Sequence, residues 1–124
     1  MREAAFCRSD ARIESVEAMA DRSVVVELSG DFDSYHSPEL RRLLEPACET
    51  PDVVIDFTAA RYIDSSCLTE LAIVRRLRIQ RGLPAMRLVV PTANMRKLLH
   101  IVGFDLVFPL YATRAEAMHA NFTA

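Results

Sequence analysis

Lysine is nearly missing from this chain. Of its fifteen basic residues, fourteen are arginine and Lys97 is the exception, a bias we read first as genome composition. Glycine is scarce too, with only Gly30, Gly82 and Gly103. Isolated glycines cannot build the turn of a dinucleotide site or the phosphate cradle of a P-loop, which need several within a few residues. No apolar run nears the roughly 20 residues that cross a bilayer. Charges scattered through the N-terminal stretch leave no hydrophobic segment of the kind a signal peptide needs. Cys7, Cys48 and Cys67 are odd in number and lack paired spacing, which suits a reducing cytosol better than a disulfide framework. His36, His100 and His119 have no metal-ligand spacing with each other or with the cysteines, so no metal or other cofactor is expected. A net charge of −2 argues against bulk binding to nucleic acid or to an anionic membrane.

What is present is a globular composition, 51% apolar and 26% charged, in a length that suits one domain and not two. Residues 1–10 read as a lead-in and 11–124 as the domain. A first strand is expected within residues 11–18, then a turn at Asp21-Arg22. The β-branched run SVVVEL, residues 23–28, predicts a core strand broken by Ser29-Gly30-Asp31. Ser37-Pro38-Glu39 predicts a helix start: a cap, a proline at the first helical position and an acid at the positive dipole end. That helix should run to about Cys48, where Thr50-Pro51-Asp52 stops it. Residues 53–57, VVIDF, predict a second buried strand, followed by a loop over 58–64. The next helix should span about 66–80 and end at Arg81-Gly82-Leu83-Pro84. Residues 86–90 form a third apolar strand, and Thr92 to Gly103 brackets a short helix. Its Met95, Leu98, Leu99 and Val102 lie opposite Arg96, Lys97 and His100. A last strand is expected over 105–110. Thr113-Arg114-Ala115-Glu116 fits a capping box for a final helix ending near Phe122.

Buried strands alternating with helices predict an α/β fold: a mixed sheet of four or five strands packed against about four helices. The first two strands lie too close in sequence for a crossover helix, so they should pair antiparallel.

Chemistry concentrates at one junction. RYIDSSCL, residues 61–68, joins a buried strand to a helix and offers Asp64, Ser65 and Ser66 together. Helix starts carry unpaired N–H groups and a positive dipole end, so an acid and hydroxyls there make a cap, and a phosphate added there gains favourable contact. A serine on such a turn also suggests a nucleophile elbow, but the flanking glycines are missing. Asp56, after an apolar strand, suggests a phosphate-accepting receiver, yet the lysine a receiver needs on a late strand is absent. A structural role for Asp56, capping backbone groups, is expected instead.

Three stretches together resemble the STAS domain of anti-sigma factor antagonists. VVVELSGDFDSYHSPEL (24–40) is similar to the family's strand, acidic loop and first helix. VVIDFTAARYIDSSCL (53–68) resembles its strand, loop and D-S-[ST]-G phosphorylation motif. The tail, a strand, residues 92–102, Gly103-Phe104, then a strand and helix, also fits. The resemblance spans about residues 11–122. It implies that Ser65 accepts phosphate from an anti-sigma factor that is itself a serine kinase. It further implies that the unphosphorylated form binds that factor and releases sigma, and that a phosphatase resets the switch. The protein itself would be a cytoplasmic, non-enzymatic partner. Asp64, Ser66 and Cys67 would form the surroundings of Ser65. Asp31 and Asp33, in a loop near the phosphosite, would touch the partner. The helix after the motif, through Leu68, Leu71 and Arg75, offers the rest of the contact surface, because its apolar residues wrap too far round to be wholly buried; a packed helix with snorkelling arginines is the alternative. Cys67 stands where the family has Gly. It is expected to be an inert small side chain, with narrowed docking or a stabilised thiolate as the other outcomes. It also lends weight to a second reading, a STAS module without phosphotransfer inside a transport or sensory complex.

Overall fold

In the computed structural model, residues 10–15 and 23–120 are described. Strand β1 (Asp10–Ser15) pairs antiparallel with β2 (Ser23–Phe32), and β3 (Asp52–Ile63), β4 (Arg87–Val89) and β5 (Leu110–Tyr111) follow in parallel, in spatial order β1-β2-β3-β4-β5. The helices are α1 (Ser37–Leu44), α2 (Ser65–Gln80), α3 (Ala93–Ile101) and α4 (Arg114–Ala120). The expected mixed sheet and the antiparallel first pair are therefore present.

Alternation along the strands decides which helix packs where, because successive side chains point to opposite faces. Val26, Leu28, Ile55, Phe57 and Leu88 point to one side, where they meet Leu40 and Leu44 of α1, Leu71 and Val74 of α2 and Leu99 of α3. Val25, Val54 and Val89 point to the other side and pack on Ala117 and Met118 of α4. Each fully buried aliphatic side chain contributes about 1.5–3 kcal/mol.

Several expected boundaries move. The strand predicted to end at Phe57 continues to Ile63, so residues 58–63 are strand and not loop. β2 likewise runs past Ser29-Gly30-Asp31 to Phe32, with register irregularities between Glu27 and Ser29 and between Gly30 and Asp31. The two extensions supply each other's hydrogen-bond partners, and bulges absorb the turn-forming residues. The helix expected to reach Cys48 ends at Leu44 and tightens into a 3₁₀ turn over Glu45–Cys48. Pro46, which has no N–H, accounts for that change. The strand expected over 105–110 is Leu110–Tyr111 alone, and Phe104–Leu106 is a 3₁₀ turn where Asp105 lies 2.6 Å from His100 Nδ1. The predicted end of the last helix near Phe122 lies outside the described residues. Val102, placed with the apolar side of α3 by pattern, is its C-cap and is 44% exposed.

Two buried polar arrangements hold the sheet ends. Asp56 sits inside β3, and one carboxylate oxygen accepts from Thr58 N–H at 2.8 Å and from the Thr58 hydroxyl at 2.5 Å. Its other oxygen accepts from Arg114 Nε at 2.9 Å, and Arg114 also reaches Glu27 at 2.8 Å. A carboxylate held by an arginine and a backbone amide is a structural anchor, the role expected of it. Arg78 is fully buried and donates to the carbonyls of Ala47, Thr50, Pro51 and Pro84 at 2.5–3.1 Å. It does not snorkel to water. It satisfies carbonyls where two connections meet, α1 to β3 and α2 to β4.

Candidate functional site

The junction between β3 and α2 is organised by Asp64. Its backbone is extended and its side chain caps α2, accepting from the amides of Ser66 at 3.0 Å and Cys67 at 3.3 Å. The Ser66 hydroxyl donates to the same oxygen at 2.6 Å. The Ser34 amide, from the loop after β2, also donates to this carboxylate. Partial burial raises the Asp64 pKa, but these hydrogen bonds from Ser66, Cys67 and Ser34 outweigh it and hold the group below its ordinary value. The backbone of Asp64 donates to the Phe32 carbonyl at 2.9 Å. Asp64 therefore ties two loops together at the end of the sheet.

The two serines have different fates. Ser66 is half-buried and committed to Asp64. Ser65 is the first residue of α2 and is exposed, and among the described residues no hydrogen bond engages its hydroxyl. The helix start expected at Ser66 thus falls one residue earlier. From Ser65 an exposed stripe runs along α2 through Thr69, Ala72, Ile73 and Arg76, at the spacing of one helix face.

The remaining candidates divide. Asp33 joins the site: its side chain caps the turn Ser34–His36, accepts from Tyr35 N–H at 3.0 Å and lies 2.8 Å from His36 Nδ1. Asp31 faces Arg61 at 3.1 Å, with both side chains largely exposed. Cys67 is wholly buried beneath the motif, its Sγ 3.3 Å from the Asp33 carbonyl oxygen. Burial, with the nearby Asp64 charge, pushes its thiol up to about 11. It is neither exposed to a docking partner nor a stabilised thiolate. Leu68 and Leu71 are buried in the core, 4% and 0% exposed, which corrects their assignment to a partner surface. Their spacing from Ser65 turns them inward, towards the sheet. Arg75 points away from the serine stripe, and its Nε donates to the Val107 carbonyl at 3.1 Å.

Sequence reading missed Glu70, buried on α2 and held by Arg41 Nε and a terminal nitrogen at 2.9 and 2.8 Å. It missed the Ser34 contact as well. Both join residues about thirty positions apart or in different loops, and no local pattern marks them. Among the described residues no group of three or more His, Cys, Asp or Glu side chains is placed to hold a metal, and no helix is long and apolar enough to cross a membrane.

Fold and junction together define a small α/β domain whose polar chemistry sits where one strand hands over to one helix. The chain belongs to the STAS domain family, whose model matches residues 13–117. A search of curated protein sequences found no match. Among solved structures, an anti-sigma factor antagonist from Mycobacterium paratuberculosis is 27% identical with a TM-score of 0.69, over 90% of this chain and 92% of that one. The Bacillus cell fate determinant SpoIIAA in its phosphorylated form is 21% identical with a TM-score of 0.68, over 90% and 98%. An anti-sigma factor antagonist domain protein from Planctomyces limnophilus is 18% identical with a TM-score of 0.75, over 90% and 97%. The last two likenesses concern the fold alone.

Proposed function

We propose that this protein is an anti-sigma factor antagonist switched by phosphorylation of Ser65. The observation that carries the reading is the contrast between neighbours: Ser65 is exposed with its hydroxyl uncommitted, while Ser66 is locked to Asp64. The unphosphorylated form binds an anti-sigma factor and thereby releases a sigma factor. That anti-sigma factor is also the serine kinase, and a phosphatase restores the free hydroxyl. The exchange takes place in the cytoplasm, and the protein acts as a binding module and not as an enzyme. The 11–124 stretch works as one unit.

The docking surface is the exposed stripe Ser65, Thr69, Ile73 and Arg76, flanked by Asp33. Phosphorylation adds roughly −1.5 to −2 charges at its N-terminal end. Against a like charge on the partner about 4 Å away, an effective dielectric near 20 gives about 4 kcal/mol per charge pair. Salt reduces this to about 1–3 kcal/mol, which is about ten- to a hundredfold in affinity. The fold need not change, because the helix dipole accommodates the new charge. Cys67 gives no support to a module without phosphotransfer, since it is buried and leaves the Ser65 hydroxyl unobstructed.

Incubation with the cognate anti-sigma kinase and ATP, followed by peptide mass mapping, tests the reading. A single phosphate on Ser65 is expected. Phosphate on Ser66 or Thr69, or none at all, removes Ser65 from this role.

A further inference from the structure

β3 extends well beyond its neighbour on one side. β4 pairs with it only at Val54, Ile55 and Asp56, whereas β2 pairs with it as far as Ile63. Among the described residues, the edge of β3 past Asp56 has no strand beside it on the β4 side. Five consecutive residues of that edge, 58–62, line a groove of about 370 Å³. Successive strand side chains point to opposite faces, so a groove touched by five in a row runs along the strand's edge and not over a face. At about 3.3 Å per residue it is roughly 16 Å long, enough for about five residues of extended chain.

The groove's form selects its occupant. The start of α3 walls the far side, with Asn94 at the rim and Met95 and Leu98 forming an apolar floor. A strand already built into another sheet cannot enter past that wall, whereas a single extended segment can. Ala59 and Ala60 keep the backbone approachable. Among the lining residues the one full charge is Arg61, no carboxylate is present, and the positive end of α3 faces the same space. Asp31, the partner of Arg61, is not part of the lining.

We propose that this groove binds an extended, acidic peptide segment of a partner protein, which adds as a strand to the free edge of β3. Backbone pairing along residues 58–62 supplies the affinity, and Arg61 selects an Asp or Glu side chain. The site is separate from the Ser65 stripe, and its occupancy does not depend on phosphorylation.

The test uses the full chain and a displayed library of random hexapeptides. Enriched sequences should carry an acidic residue, and a synthetic peptide of the enriched sequence should slow amide hydrogen exchange at residues 58–62. In titration calorimetry Arg61→Gln should weaken that peptide about tenfold, Ala59→Trp should abolish its binding, and Ser65→Ala should leave it unchanged. Should Ala59→Trp not fold, Asn94→Trp blocks the opposite wall. No enrichment, enrichment without acidic residues, exchange protection elsewhere, or binding that survives both tryptophan variants overturns the proposal. So does protection of residues 58–62 before any peptide is added, which would assign the groove to the chain's own terminal residues.

Discussion

The sulfur of Cys67 lies 3.3 Å from the carbonyl oxygen of Asp33 and is shielded completely from solvent. A residue that in sequence follows directly on Asp64, Ser65 and Ser66 thus belongs to the interior. It fixes the loop after β2 against the first turn of α2, and its thiol, pushed up to about 11, stays protonated at neutral pH. Alkylation by iodoacetamide at pH 8 should therefore spare Cys67, and also Cys48, whose thiol is raised chiefly by burial. Both should react once the protein is unfolded in guanidinium. Peptide mass mapping reads each site separately, and rapid modification of Cys67 in the folded protein would contradict its burial.

Ser65→Asp should weaken binding to the anti-sigma factor about tenfold or more, since a carboxylate carries less charge than a phosphate. Ser65→Ala should bind as the unmodified protein does and should resist phosphorylation. Ser66→Ala should remain a kinase substrate, with lower thermal stability from the lost contact to Asp64. Surface plasmon resonance with the partner immobilised distinguishes the three. Equal loss of binding in both alanine variants would point to a structural effect of the motif.

Asp64→Ala removes the cap of α2, the acceptor of the Ser66 hydroxyl and the carboxylate's contact with Ser34, and should cost about 1–2 kcal/mol at pH 7 by urea melts. Its dependence on pH has a definite sign. Because the folded pKa lies below the unfolded value, near about 3.9, the stabilisation is complete above that pH and is lost as pH falls through the lower folded value. The gap between parent and Asp64→Ala should therefore narrow below about pH 4. Asp64→Asn, which can still cap, should lie closer to the parent at pH 7.

Arg78→Met should be the most damaging of these substitutions. It keeps the apolar bulk but leaves the carbonyls of Ala47, Thr50, Pro51 and Pro84 without their buried donor. A loss of about 3–5 kcal/mol is expected from several orphaned acceptors together. Arg78→Lys should recover little of it, because three donors on one nitrogen cannot span the positions that the planar guanidinium reaches. Chemical denaturation followed by circular dichroism measures both. A Lys variant as stable as the parent would show that the charge, and not the fork of donors, is what matters.

Periodicity and end signals carried the sequence a long way. The runs around Val25, Ile55 and Leu88 named the central strands, Asp64 and Thr92 marked two helix starts, and the short gap before Ser23 named the antiparallel pair. The resemblance carried by 24–40 and 53–68 pointed to the family whose model matches the chain. These features are local, set by side-chain chemistry within one or two turns of backbone. Strand lengths were not legible in the same way. Residues 58–63 read as loop because Ala59, Ala60 and Arg61 interrupt the apolar run, and they are strand because β2 continues beside them.

Which side of α2 faces outward also awaited the fold. Leu68 and Leu71 lie as near Ser65 in sequence as Thr69 and Ile73 do, yet the sheet claims the first pair and leaves the second to solvent. The sequence alone determined that an acid and two hydroxyls begin a helix after a buried strand. Only the tertiary structure decided that Cys67 turns inward to Asp33 and that Ser65 is left free. The reason is that hydrogen-bond and packing partners come from the loop after β2, some thirty residues away in the chain, and a local pattern cannot specify contacts it does not contain.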